Sequence, residues 1–170
     1  MKTYFTIAAI TVAVVVGFCG GLLVPKLSVH AQSTTAKPKE PVASTEEFRS
    51  HVIHYPDLPQ VELVKGSNSR LVSGEQSMIS FLTMDANSYF APHRHAQEQI
   101  MIVLDGSCDE IIEGKLYKVK PGDVIILPSN IEHGAYIGSQ DVHVIDVFGY
   151  PRSDYLLKMM QKMAEMNTKK

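Results

Sequence analysis

His93 and His95 stand one residue apart in "APHRHAQEQIMIVLDG" (91–106), with a glutamate and a glutamine side by side just after them. Along a strand, residues two apart share a face, so both imidazoles can reach one ion at about 2.0–2.1 Å. Alone, such a pair reads most simply as two surface histidines. The third donor is either Glu98 or Gln99, and strand parity selects Gln99. It shares the odd register of His93, His95, Met101 and Val103, whereas Glu98 falls on the opposite face. The choice has chemical weight, because an amide is neutral and leaves a divalent ion its full charge. Open positions on such an ion attract anionic oxygen ligands and acidify water more strongly.

The elements that must position these residues read as short strands broken by turns. From about Val61 the strong segments are 77–84, 98–106, a hairpin over 107–119 turning near Glu113-Gly114, then 122–128, 133–138 and 141–150. Strands this short and regular predict an all-β sandwich or barrel. Residues 153–166, "SDYLLKMMQKMAEM", instead place Leu156, Met159, Met160 and Met163 at helical spacing, with Ser153 or Asp154 as the cap. That stripe reads as packing against the barrel.

The rest of the chain bounds the answer. It has 170 residues, 45% of them hydrophobic and 20% charged, enough for one core. The formal net charge of -2 and the lack of a Lys/Arg block argue against nucleic acid as a partner. Lys2, an apolar run from about Tyr4 to Val24, and Val29-x-Ala31 predict a signal peptide cut before Gln32. The same run is long enough for a membrane anchor, the one route by which the chain would engage a membrane. Both readings export the rest of the chain, to the periplasm, the medium or the outer face of the membrane. Lipid attachment at Cys19 fits poorly after the bulky Phe18. Removing residues 1–31 leaves Cys108 alone and moves the net charge to -4. Residues 32–45 are polar and proline-containing and read as a linker, with Thr45 able to cap a short helical turn. The expected layout is therefore segment 1–31, linker 32–45, barrel 46–152, and helix and tail 153–170.

Two spacings then carry a resemblance to the cupin superfamily. Its first motif runs glycine, five residues, His-x-His, three or four residues, glutamate, six residues, glycine. His93, His95 and Gly106 fit it, with Gln99 in the acid's place and Asn87 in the first glycine's. The second motif is matched by Gly122, Pro128 and His133, with Asn130 for a glycine and Ile137 for a polar residue. Asparagine is the next best residue at positive φ. The resemblance implies a small jelly-roll-like cupin barrel with a C-terminal helix, one divalent ion (Ni, Zn, Mn or Fe), and His93, His95, Gln99 and His133 as its ligands. Small cupins often pair through sheet edges, so a homodimer is compatible with it.

"DVFGYPRSDYL" (146–156 with its start at Asp146) is similar to the close of the small cupins of pectin and alginate breakdown. Those proteins take an unsaturated uronate from its closed ring toward a linear keto sugar, with three histidines and a glutamine at the metal. Their Asp-x-Phe-x-x-x-Arg pattern falls on Asp146, Phe148 and Arg152. This implies an isomerase or lyase for a small anionic substrate. Arg152 would clamp a carboxylate, Asp146 would move a proton, and Phe148 would offer a ring face. The bland alternative makes Phe148 core and pairs Arg152 with Asp154. Asp146 and Phe148 share a face with Val142 and Val144, so His143 points away and is no ligand. Two features differ from those proteins: Met101 puts an apolar group beside Gln99, and the chain carries an export segment where those enzymes work in the cytoplasm. An Fe(II)-dependent dioxygenase and a non-catalytic metal- or sugar-binding module are the alternatives. His51, His54 and Arg94 read as surface residues, and Tyr89 and Phe90 as packing.

Overall fold

A computed structural model describes residues 40–168 of the chain. The apolar segment 1–31, Cys19 and the linker as far as residue 39 lie outside the described residues. Among the described residues, no helix is long and apolar enough to cross a membrane.

In chain order the elements are α1 (Thr45–His51), a 3-10 turn (Tyr55–Asp57), β1 (Val61–Val64), β2 (Ser67–Ser73), β3 (Met78–Met84), β4 (Tyr89–His93), β5 (Gln99–Asp105), β6 (Cys108–Ile112), β7 (Lys115–Val119), β8 (Val124–Leu127), β9 (His133–Ile137), β10 (Val142–Phe148) and α2 (Ser153–Asn167). The strands form two antiparallel sheets, a six-stranded one ordered β1-β2-β3-β10-β5-β8 and a four-stranded one ordered β4-β9-β6-β7. The cap of α1 is Ser44 rather than Thr45: its hydroxyl accepts from the Glu47 N–H while the Glu47 carboxylate accepts from the Ser44 N–H. This reciprocal pair satisfies two orphan donors, which Thr45 inside the helix could not do.

The β6–β7 hairpin turns at Glu113-Gly114, both at positive φ (48° and 75°), the conformation a two-residue turn between twisted strands requires. Asn87 and Asn130 also take positive φ (60° and 63°), filling the conformational role of the glycines they replace.

The core lies between the sheets. Phe148, Met78, Leu127 and Leu63 are almost completely buried, each worth roughly 1.5–3 kcal/mol of transfer free energy. The inner face is not uniformly apolar, because Ser69 and Ser80 are fully buried with hydroxyls 2.8 Å apart, each satisfied by the other. The outer face of the large sheet is as apolar as the inner one. Ile79, Val147, Ile100 and Ile126 align across four strands, with Phe81, Ile145, Ile102 and Val124 in a second row. Tyr55 stacks on Phe81 with ring centroids 3.8 Å apart and covers part of this face.

The helix α2 packs Tyr155, Leu156 and Met159 against the core. Met160 and Met163 point outward, at 64% and 49% exposure, so the stripe expected to face the barrel is only half right. Its N-cap position is Arg152 rather than Ser153 or Asp154, and no side chain caps it.

Candidate metal centre and cavity

The large sheet supplies Gln99, Asp146 and the approach to Arg152, and the small sheet supplies His93 and His133. The donor nitrogens of His93, His95 and His133 lie within 4.8 Å of one another. His93 ends β4 and stands directly opposite His133 at the start of β9. His95 is not on a strand at all. β4 stops at His93, so the shared-face argument for the two histidines does not hold as stated. A loop clasp brings His95 into place instead: the Asn130 N–H donates to the His95 carbonyl at 2.8 Å, and Arg94 Nη1 donates to the Asn130 carbonyl at 2.8 Å. The positive φ of Asn130 is what turns its N–H and carbonyl toward that loop. Gly134 completes the arrangement, since a Cβ there would meet the Phe90 carbonyl oxygen and come within 2.9 Å of the Pro92 nitrogen.

Two of the rings are held in an orientation that leaves Nε2 available to an ion. Nδ1 of His93 lies 3.1 Å from the Ala91 carbonyl and Nδ1 of His133 lies 3.0 Å from that of Ile131. A carbonyl only accepts, so Nδ1 carries the proton and the neutral ring presents Nε2. Burial pushes His133 down to about 4, keeping its ring neutral. Burial, then the Arg152 charge, also lowers His95. His95 is the under-satisfied member. Its buried Nδ1 has no partner among the described residues, and its Nε2 reaches Gln99 Oε1 at 3.1 Å. That spacing suits two donors sharing one ion at bonds of about 2.1 Å. Three imidazoles and an amide oxygen fit a divalent transition ion such as Ni, Zn, Mn or Fe.

Gln99 is buried and Glu98 exposed. The inward direction of Gln99 comes from β5 itself, where Gln99, Met101 and Val103 alternate into the core. Its amide nitrogen donates to Asp146 Oδ1 at 2.8 Å, which turns Oε1 toward His95. Asp146 is 3% exposed, and burial lifts its carboxyl to about 7 against the pull of the Gln99 hydrogen bond and the Arg152 charge.

A cavity of about 660 Å³ opens beside the cluster, lined among others by His93, His133, Gln99, Asp146 and Arg152. Phe148 does not line it. Fully buried, it meets the rings of His95 and Tyr155 edge-on, each with centroids 5.7 Å away, and so supports His95 from behind. Arg152 lines the cavity, but Nε and Nη2 are held by Asp154 at 3.1 and 2.6 Å. Its guanidinium carbon stands 4.0 Å from the Tyr155 ring centroid, a cation–π contact. Nη1 makes no hydrogen bond with a described residue. His143 faces outward, 3.0 Å from the Thr83 hydroxyl. His51, His54 and Arg94 are exposed, Phe90 packs on the core, and Tyr89 is exposed and stacks on Tyr136.

One lining residue escaped the sequence reading: Glu110, 3% exposed on β6. Burial, then the Asp146 charge, pushes its carboxyl up to about 8. The signal was there, because strand parity from the buried Cys108 sends Glu110 inward.

Residues 80–148 match the family model described as the cupin domain. The pectin degradation protein KdgF of Dickeya dadantii is 28% identical over 102 residues, which span 59% of this chain and 93% of that protein. The solved structure of KdgF from a Halomonas species is 26% identical with a TM-score of 0.55, covering 61% of this chain and 94% of that one. An RmlC-like cupin from Shewanella frigidimarina superposes with a TM-score of 0.58 at 20% identity, over 62% and 95% of the two chains, a likeness of fold.

Proposed function

We propose, from the match of residues 80–148 to the cupin domain model, that the chain is a metal-dependent isomerase or lyase whose substrate is a small acid of the unsaturated uronate type. The observation that carries this reading is the double contact of Gln99. One side chain joins the three-histidine cluster (3.1 Å to His95) to a buried acid (2.8 Å to Asp146) beside a cavity of sugar size. Similarity to proteins named for pectin degradation supports a sugar acid. Exposed Lys65 and Lys158 lie in the cavity wall with Arg152 and favour an anion there.

His93, His95, His133 and Gln99 would hold the ion, which when bound supplies Lewis-acid polarisation of a substrate oxygen. Ring opening of an unsaturated uronate is an isomerisation: the anomeric hydroxyl gives up a proton and becomes a carbonyl, the ring C–O bond breaks, and the released enolate takes a proton back to reach the keto form. Asp146, held near neutrality by burial, is poised both to take a proton and to return one. Arg152 contributes its free Nη1 to the substrate carboxylate while Asp154 and Tyr155 keep the guanidinium in place. Phe148 positions His95. The same reading takes the apolar segment 1–31 as an export signal. Protein recovered from its host should then begin at Gln32, or retain residues 1–31 as an anchor.

The test is turnover of an unsaturated monouronate by the metal-loaded full chain, followed as loss of the ultraviolet absorbance of the conjugated double bond. Asp146→Asn can still accept from Gln99, so it should keep its metal and lose about 10²–10⁴-fold in kcat. No turnover by the wild type, or full turnover by Asp146→Asn, ends this reading.

A further inference from the structure

Glu110 has no part in that mechanism, yet it lies on the small-sheet wall of the cavity, across from the wall that carries Asp146. It pairs in register with Ala135 of β9 and Tyr117 of β7. It is 3% exposed, pairs with no described residue through its carboxyl, and keeps what access it has toward the cavity it lines. A buried polar group without a partner destabilises a fold, and an apolar side chain of like size would not.

Three kinds of partner would satisfy such a carboxyl. An ion held by the histidines is the first, but no carboxylate joins the group of donor atoms lying within 4.8 Å of one another. A protein cation is the second, but Arg152 spends Nε and Nη2 on Asp154, and Lys65 and Lys158 are exposed. The third is a polar group of the molecule that fills the cavity.

We propose that Glu110 is a specificity residue that hydrogen-bonds a hydroxyl of the bound ligand, so that the cavity selects a hydroxylated acid over the same acid stripped of hydroxyls. The inference rests on reading this cavity as the substrate site. It adds a second recognition point, opposite the wall that carries Arg152, and so restricts the substrate class to polyhydroxy acids. Burial and the Asp146 charge keep the Glu110 proton in place near neutral pH, so the group can donate as well as accept. A sugar hydroxyl does both in return.

The experiment is calorimetric titration of the zinc-loaded full chain with two probes: D-galacturonate, and tetrahydropyran-2-carboxylate, a six-membered ring acid without hydroxyls. Glu110→Leu should weaken galacturonate binding roughly 10-fold or more and leave the hydroxyl-free acid within about 2-fold. Glu110→Gln, which keeps a donor and an acceptor, should recover most of the loss and carries the test if the leucine variant fails to fold. Equal effects on both probes, no effect on either, or a wild type that binds neither would overturn the proposal. Turnover separates the two readings. A wild type that discriminates through Glu110 but does not open unsaturated uronates keeps this inference and ends the isomerase reading. One that opens them with KM unchanged in Glu110→Leu does the reverse.

Discussion

On the large-sheet wall of the cavity the polar groups are chained to one another. Gln99 faces His95 and donates to Asp146, and nearby Arg152 is forked onto Asp154 and stacked on Tyr155. On the facing wall Glu110 meets no described partner. Both walls bury carboxyls almost completely, and burial raises both, Asp146 to about 7 and Glu110 to about 8. The lesson is about what burial of a polar group signifies. Where partners are present, the group is part of the scaffold and sets geometry. Where they are missing, the fold carries a cost that something else must offset.

The contrast is broken most severely at the metal cluster. His133→Ala should lose more than about 100-fold in metal affinity, Gln99→Ala about 10–100-fold, and Glu98→Ala nothing, by metal analysis of the full chain. Loss of metal in Glu98→Ala would mean that the wall is not organised around Gln99. Gly134→Ala comes next: its methyl would be driven into the β4 backbone, and a loss of about 3 kcal/mol should appear as a lower denaturant midpoint.

Glu110 should respond in the opposite sense. Glu110→Leu should stabilise the metal-free protein by about 1–3 kcal/mol, read from chemical denaturation. The pH dependence sharpens the point. Between the ordinary glutamate value of 4.5 and about 8, the unfolded chain has released a proton that the folded chain still holds. Stability from this group is therefore full below that window, falls as pH rises through it, and is level above it. The advantage of Glu110→Gln over wild type should widen from pH 5 to pH 8 by an amount on the order of 2 kcal/mol. A constant gap would place the proton elsewhere. The smallest effect belongs to Asp154→Asn. The Asp154 side chain is 56% exposed, so losing its pairing should cost under about 1 kcal/mol in a thermal melt.

Much of this was legible in the sequence. Turn chemistry located the β6–β7 hairpin, and asparagines at 87 and 130 stood where left-handed backbone was needed. Parity put Gln99 and Asp146 inside and His143 outside. What parity could not carry was the step across a loop. His95 lies beyond the end of β4, and its direction comes from Asn130, which sits far along the chain. Nor could periodicity decide which methionines of α2 meet the barrel, because the apolar face of that helix is broader than the strip of Tyr155, Leu156 and Met159 that packs. The large sheet has the same ambiguity, with isoleucines on its outer face and serines within. Glu110 was obscured by its neighbours, since "DEIIEG" looks like the charged end of a hairpin.

The clasp between Asn130 and His95 has a thermodynamic corollary. The chain must first fold β9 against β4 before its histidines meet, so the denatured ensemble holds at most the His93–His95 pair. An ion that binds the native chain in preference to that ensemble raises apparent stability by mass action, in proportion to the logarithm of its free concentration above the dissociation constant. Melting temperature then becomes a gauge of metal supply: the same chain, unchanged in sequence, is a sturdier protein wherever the ion is plentiful and a more fragile one wherever it is scarce.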